Sequence, residues 1–172
     1  MKLQLILITA AMLPLGAHSQ KKPVDPLSSF KKVVAACEAQ VNEWPRDNVR
    51  QLKNGEWARN FLEVTSVVHD VKRTDSLVSP FTAYIKLETV EHVARRKTED
   101  EARMAEKPGA TVIRGTDEIR YAFQDSKWKL MDGSTKRDMK LVGQTSFNDP
   151  VGAVQLSAES IADNPRWKHC VP

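Results

Sequence analysis

Three of the four histidines of the chain, His69, His92 and His169, lie beyond its N-terminal 20 residues. They are the side chains best suited to acid–base or metal chemistry. None of them stands in an H-x-x-x-H or H-E-x-x-H pattern, the spacing that places two imidazoles on one helix face around zinc. The two cysteines of the chain do not form a C-x-x-C pair either. The sequence therefore predicts no metal site and no cofactor.

The neighbours of two of these histidines bear on whether a catalytic base is present. His69 and Asp70 are adjacent in a β-rich segment, so their side chains point to opposite faces of a strand and form no dyad without a bulge. A small hydrolase or isomerase would need His69 or His92 beside a carboxylate such as Asp70 or Glu88. We keep His69, His92 and Tyr84 as candidate ligand contacts or bases and assign no catalytic residue.

Motifs of the larger enzyme classes are absent from the chain. It has no G-x-S-x-G, Walker A or G-x-G-x-x-G segment, which argues against esterases and nucleotide-binding or dinucleotide-binding enzymes. Ser28 and Lys31 match the S-x-x-K pattern of penicillin-recognising enzymes, but the accompanying S-D-N and K-T-G segments are missing. The motifs give no support to covalent catalysis.

The basic excess of the 172-residue chain is small, with 26 Lys and Arg against 22 Asp and Glu and a net charge of +4. The segment 127–129 (Lys-Trp-Lys) combines basic and aromatic residues as nucleic-acid contacts do. Strand alternation, however, would put Trp128 in the core and both lysines in water. We therefore expect no nucleic-acid partner.

The only two cysteines, Cys37 and Cys170, lie near the two ends of the predicted fold. In an oxidising compartment such a pair is expected to form a disulfide that ties these ends together. The alternative is two separate buried thiols, because Cys37 sits on an apolar helical stripe where free cysteine is also common.

Residues 1–19 have the pattern of a secretory signal peptide. Lys2 supplies the positive start, the apolar run over residues 3–15 is too short to span a bilayer, and Ala17 and Ser19 are small residues suited to signal peptidase. We predict cleavage after Ser19 and a periplasmic or secreted product without a transmembrane segment. A membrane anchor or a buried first helix is the alternative for the same apolar run.

A helix is predicted from about Pro26 to Glu43, with Asp25 as its N-cap and proline in its first turn. Trp44 and the proline that follows it end the helix. One stripe of the helix is apolar, at the spacing of residues that share a helix face: Phe30, Val33, Val34, Cys37 and Val41.

Alternating and β-branched residues predict an antiparallel sheet of about four strands after a polar linker. The first three strands cover residues 57–71, 81–88 and 110–123, the last with an interruption near Gly115. A turn at residues 124–127 leads into the strand of Trp128, and residues 135–142 form at most an edge strand.

The remaining segments carry weaker patterns. Residues 95–107 are mostly charged and predict a short solvated helix or a mobile loop. A further interpretation of this segment is an arm that binds a partner. Residues 143–172 predict an irregular tail that Trp167 and Cys170 tie back to the first helix. We expect one domain over residues 20–142, followed by this tail.

The helix, the long strands and the hairpin YAFQDSKWKL at residues 121–130 resemble the cystatin-like and NTF2-like group of α+β folds. The resemblance covers roughly residues 26–131. It implies an N-terminal amphipathic helix packed on a curved antiparallel sheet, a fold that serves both enzymes and non-catalytic binding proteins.

The sequence as a whole therefore predicts a secreted α+β binding protein without catalysis. Its partner would be an envelope or secreted protein, as for an inhibitor or immunity protein, or a small ligand held in the concavity of the sheet. The alternative is a small NTF2-like enzyme with a histidine and carboxylate base in the sheet cavity.

Overall fold

The first helix, α1 (Pro26–Asn42), begins and ends close to the predicted positions in a computed structural model that describes residues 24–107, 109–143, 146–147 and 151–172. Asp25 caps it by accepting hydrogen bonds from the N–H groups of Leu27 and Ser28. The predicted signal peptide and its cleavage site after Ser19 lie outside the described residues.

Six antiparallel strands form one sheet in the described part of the chain, in the order in which they follow one another along the sequence. The prediction of about four strands was wrong. The strands are β1 (Asp47–Gln51), β2 (Trp57–Arg73), β3 (Phe81–Arg96), β4 (Thr111–Gln124), β5 (Lys127–Leu141) and β6 (Val151–Ser157).

The two unpredicted strands lie at the two edges of the sheet. β1 is a short polar segment, DNVRQ, whose residues are mostly exposed, so no alternation of apolar and polar residues marks it. β6 lies in the segment predicted as an irregular tail and pairs with β5. β6 therefore makes β5 an inner strand from Asp132 to Arg137, and β5 continues to Leu141 paired with β4, where we had expected at most an edge strand.

Gly115 does not interrupt β4, which runs unbroken past it. The glycine pairs with Thr89 on β3, and a Cβ atom placed on it would lie 2.5 Å from Thr89 Oγ1. The close approach of a neighbouring side chain, and not a break in the strand, accounts for glycine at this position.

The charged segment after β3 contains the helix α2 (Glu99–Met104), which starts with a capping box between Thr98 and Glu101. Its Ala102 is fully buried and Ala105 nearly so. α2 packs against β1, β2 and β3. The predicted solvated helix is thus present, with one small apolar side that the sequence pattern did not indicate.

The tail continues after β6 as α3 (Ala158–Ala162) and a C-terminal 3-10 helix (Pro165–Cys170). It returns to α1 as predicted: Cys170 forms a disulfide with Cys37 across 133 residues of chain, and the rings of Trp167 and Trp44 meet edge to face at 5.1 Å. No helix in the described ranges is long and apolar enough to cross a membrane.

The hydrophobic core lies on one side of the sheet, here called the inner face, which α1 covers. The opposite side is called the outer face. Trp128 is in the core and Lys127 and Lys129 are exposed, as the alternation predicts. The core under α1 is built from these side chains: Phe30, Val34, Cys37, Val41, Ala83, Ile85, Leu87, Ile119, Tyr121, Phe123 and Trp128.

Candidate ligand site

The inner face changes character beyond the C-terminal end of α1. Four strands carry polar or charged inner-facing residues in this part, which we call the open half: Asn60 on β2, Glu91 on β3, Asp117 on β4 and Arg137 on β5. Apolar positions, Leu62, Val93 and Ile113, face the same way beside Asn60 and Glu91. The part of the inner face that α1 covers, where the same strands carry mostly apolar residues, is called the covered half.

A cavity of about 380 Å³ opens on this half of the face. Its size lies at the lower end of the range for small-molecule sites. Its walls combine apolar, aromatic and charged groups, from the end of α1, the first three strands and the C-terminal 3-10 helix: Trp44, Pro45, Asn48, Asn60, Leu62, Glu91, Pro165 and Arg166.

The 3-10 helix that carries Arg166 is fixed to α1 from several directions. Gln40 on α1 donates a hydrogen bond to the carbonyl of Pro165 at 2.7 Å and accepts one from the N–H of His169 at 2.8 Å. The Cys37–Cys170 disulfide holds the end of the helix. These attachments place one wall of the cavity without relying on the side chains inside it.

The hydroxyl of Tyr121 adds a further attachment, because it donates a hydrogen bond to the carbonyl of Cys170 at 2.8 Å. Tyr121 lies in the core, and its burial raises the pKa of the phenol well above the ordinary value. The phenol therefore stays protonated and keeps donating this bond over the whole neutral range.

Arg166 lies half-buried over the aromatic ring of Trp44, with its guanidinium carbon 4.0 Å from the ring centroid. Burial lowers the pKa of Arg166, and the negative charges of Asp117 and Glu91 act against that shift. No hydrogen-bond acceptor or carboxylate within 4 Å pairs with its guanidinium in the described part of the protein. The group keeps its charge and has free donors at the cavity wall.

Asp117 and Arg137 form a closed polar pair beside the cavity. Asp117 is 4% exposed, accepts a hydrogen bond from Thr135 Oγ1 at 2.6 Å and forms an ion pair with Arg137 at 2.9 Å. Each charge of the pair is satisfied by the other, which is the arrangement that a buried carboxylate needs.

Two residues of the cavity wall, Trp44 and Asn60, each have a buried side-chain atom without a hydrogen-bond partner in the described part of the chain. The atoms are Trp44 Nε1 and Asn60 Oδ1, and the two residues are only 8% and 6% exposed. Leaving a buried donor or acceptor unpaired costs about 1–3 kcal/mol of folding free energy for each group. Both atoms therefore lower the stability of the fold.

The residues singled out in the sequence do not gather at this cavity. His69 faces inward on β2 opposite Ile85, but it lies exposed near Phe30, at the far end of the face, with 6.5 Å between the two rings. His92 and Tyr84 lie half-buried on the outer face. Asp70 lies opposite Tyr84 in the register of β2 and β3 and faces the same outer side. His69 and Asp70 therefore point to opposite faces, as predicted.

The outer face has a groove of its own, lined by Asp70, Tyr84 and Arg120 among others. Two of its charged groups, Arg120 and Asp132, form an ion pair at 2.6 Å, and Lys86 and Glu88 form another nearby at 2.6 Å. His92 Nδ1 is buried on this side without a partner among the described residues. Within the described ranges, no three side chains of the metal-binding types gather on either face.

Four residues of this site, Trp44, Asn60, Glu91 and Arg166, were not among those predicted from the sequence. A signal existed for Glu91, because the alternation that places Ala83, Ile85 and Leu87 in the core reaches Glu91 four residues later. No such signal existed for Arg166, whose position depends on the fold of the tail.

Comparisons of the chain with protein-family models, with curated proteins and with solved structures give no match.

Proposed function

We propose that this chain is an exported binding protein that holds a small polar ligand in the cavity on the open half of the inner face. The observation that carries the proposal is that Trp44 and Asn60, which line one cavity, each have a buried side-chain atom, Nε1 and Oδ1, with no hydrogen-bond partner among the described residues. A ligand that offers one acceptor and one donor would satisfy both atoms once these side chains turn towards it, and would recover their desolvation cost.

Export is part of the proposal. The Cys37–Cys170 disulfide supports it, since such bonds persist in oxidising compartments. The N-terminal pattern of residues 1–19 supports it independently. We also propose that the fold belongs with the cystatin-like and NTF2-like group, because α1 packs across an antiparallel sheet whose inner face holds the cavity.

Binding is favoured over catalysis by the composition of the cavity wall. His69, His92 and His169 are not among the residues that line the cavity. The wall offers an indole N–H, an amide, a carboxylate and a guanidinium, all of which recognise polar groups without having to transfer a proton.

The test measures how small molecules change the melting temperature of the disulfide-bonded protein. The probes are a panel of amino acids, dipeptides, sugars, nucleosides and organic acids, together with a small-molecule extract of the producing cells. The variants Trp44→Phe and Asn60→Leu each remove one unpartnered atom, and Trp57→Phe, on the outer face of β2, is the matched control.

We expect a probe that raises the melting temperature of the wild type and of Trp57→Phe but not of the two cavity variants. The proposal fails if no probe or extract acts, or if both cavity variants respond as the wild type does. Mass spectrometry of the bound probe adds a second criterion, because chemical conversion of the probe would establish the enzyme alternative instead.

A further inference from the structure

Resting on the proposed function, we propose that the ligand is a small zwitterion of the amino-acid or short-peptide type, with its carboxylate against Arg166 and its ammonium group against Glu91. The proposal gives the cavity a ligand class that follows from the two unpaired charges in its wall.

Arg166 supplies the anion-binding half of the site. Its guanidinium is half-buried, stacks on Trp44 and donates no hydrogen bond to a described residue. A guanidinium matches the two oxygens of a carboxylate with two parallel N–H donors, and partial burial strengthens that interaction over its value in water. Trp44 itself lines the same wall.

Glu91 supplies the cation-binding half. It is half-buried on the inner face of β3, and its partners on the neighbouring strands are Leu62 and Ile113, which offer no side-chain donor. No hydrogen bond or ion pair to Glu91 occurs among the residues that the structure describes. Its carboxylate and the amide oxygen of Asn60 are both acceptors suited to an ammonium group.

The charge balance of the open half favours a ligand that carries both signs. Asp117 and Arg137 neutralise each other, and Arg166 and Glu91 lie within electrostatic reach without forming an ion pair. A ligand with a single charge would leave one partly desolvated charge without a partner, which is costly. A zwitterion pairs both charges and keeps the site neutral.

The apolar part of the wall limits the remainder of the ligand. Pro45, Leu62 and Pro165 line the cavity between the charged groups, and the volume of about 380 Å³ leaves room for an aliphatic side chain or a second residue. Leucine and the dipeptide alanyl-leucine are therefore suitable probes.

The experiment measures, by isothermal titration calorimetry, the binding of each probe and of its two blocked forms to the disulfide-bonded protein. N-acetylation removes the ammonium charge, and conversion to the amide removes the carboxylate charge. We expect each block to weaken binding tenfold or more for at least one of the two probes.

Two charge variants assign the ends of the ligand. Arg166→Gln should weaken binding of the parent and the N-acetyl form and leave the amide form unchanged. Glu91→Gln should weaken the parent and the amide form and leave the N-acetyl form unchanged. The controls Arg73→Gln, at the far end of β2, and Glu118→Gln, on the outer face of β4, should bind all forms as the wild type does.

The zwitterion proposal is overturned if the blocked forms bind as tightly as the parent, or if neither probe binds in any form. The proposed function would survive that result if a sugar, nucleoside or organic acid bound in a manner sensitive to Trp44→Phe and Asn60→Leu. Failure of the whole panel and of the cell extract would overturn both proposals together.

Discussion

Along a single strand, β3, the inner-facing residues change from Ala83, Ile85 and Leu87 to Thr89 and Glu91. The same change occurs on its neighbours, and it falls where α1 ends. On β2, Val71, Val67 and Val64 are followed by Leu62 and then Asn60 towards the open end, and on β4, Phe123, Tyr121 and Ile119 are followed by Asp117.

The covered half and the open half therefore share a backbone and differ in side chains. In the covered half, apolar burial stabilises the fold at about 25 cal/mol per Å² of apolar surface. In the open half, Trp44 and Asn60 hold unpaired polar atoms that cost stability. A sheet that served folding alone would have no reason to keep such residues, which is why we place the function there.

The largest expected effect comes from removing the bond that joins the two halves. In Cys37→Ala/Cys170→Ala, the loss of a 133-residue cross-link should reduce the free energy of unfolding by about 2–5 kcal/mol. It should also free the 3-10 helix that carries Arg166 and abolish ligand binding. Urea denaturation measures the first effect, and wild-type protein treated with reductant is the control that should reproduce it.

The covered half is tested next by Phe30→Ala. Phe30 is 1% exposed, and its ring packs against those of Tyr121 and Trp128 at 5.3 and 4.8 Å between centroids. Creating a cavity of this size should cost about 3–5 kcal/mol in urea denaturation. Leu27→Ala, an exposed position on the same helix, should cost less than about 1 kcal/mol, and equal costs for both would contradict the assigned core.

Tyr121→Phe tests the contact between the core and the tail. The change leaves the buried carbonyl of Cys170 without its donor, so we expect a loss of about 1–3 kcal/mol. Because the pKa of Tyr121 is raised in the folded protein, the unfolded chain loses its phenolic proton first as the pH rises above about 10. The stability that this group contributes is present below that pH and falls above it.

Denaturation of wild type and variant at several alkaline pH values measures this dependence. The decline above pH about 10 should be shallower in Tyr121→Phe than in the wild type. Equal slopes in the two proteins would show that the Tyr121 phenol does not titrate differently on folding.

The covered half was largely predictable from the sequence, and the open half was not. Helix periodicity identifies Phe30 and Cys37 as buried, and strand alternation places Ile85 and Trp128 in the core, since apolar patterns are local. The disulfide between Cys37 and Cys170 could also be predicted, because the chain has two cysteines and an oxidising compartment was expected.

The open half depends on contacts between segments far apart in sequence. Arg166 stacks on Trp44 only because the disulfide and Gln40 bring the tail to the end of α1. Strand alternation reaches Asn60 from Val64 and Leu62, but a polar residue there carries no local sign that its part of the face is left uncovered. The strands β1 and β6 were not predicted for a related reason. Edge strands need little alternation of apolar and polar residues, so the sequence pattern does not reveal them.

The smallest expected effect gives the sharpest comparison, between one tryptophan in each half. Trp128 Nε1 in the covered half donates hydrogen bonds to the carbonyl of Pro26 at 3.1 Å and to Ser29 Oγ at 3.2 Å. Trp44 Nε1 in the open half has no hydrogen-bond partner among the residues that the structure describes. Replacing either residue by phenylalanine trims the same atoms, so the difference between the two variants isolates the N–H group.

We expect Trp44→Phe to change the unfolding free energy by less than about 1 kcal/mol, because relief of the unpaired donor offsets the lost packing. Trp128→Phe should cost about 2 kcal/mol more, since it loses a satisfied donor. Urea denaturation without ligand measures both. Equal losses would mean that the Trp44 indole N–H already has a hydrogen-bond partner, and it would then not be available to a ligand.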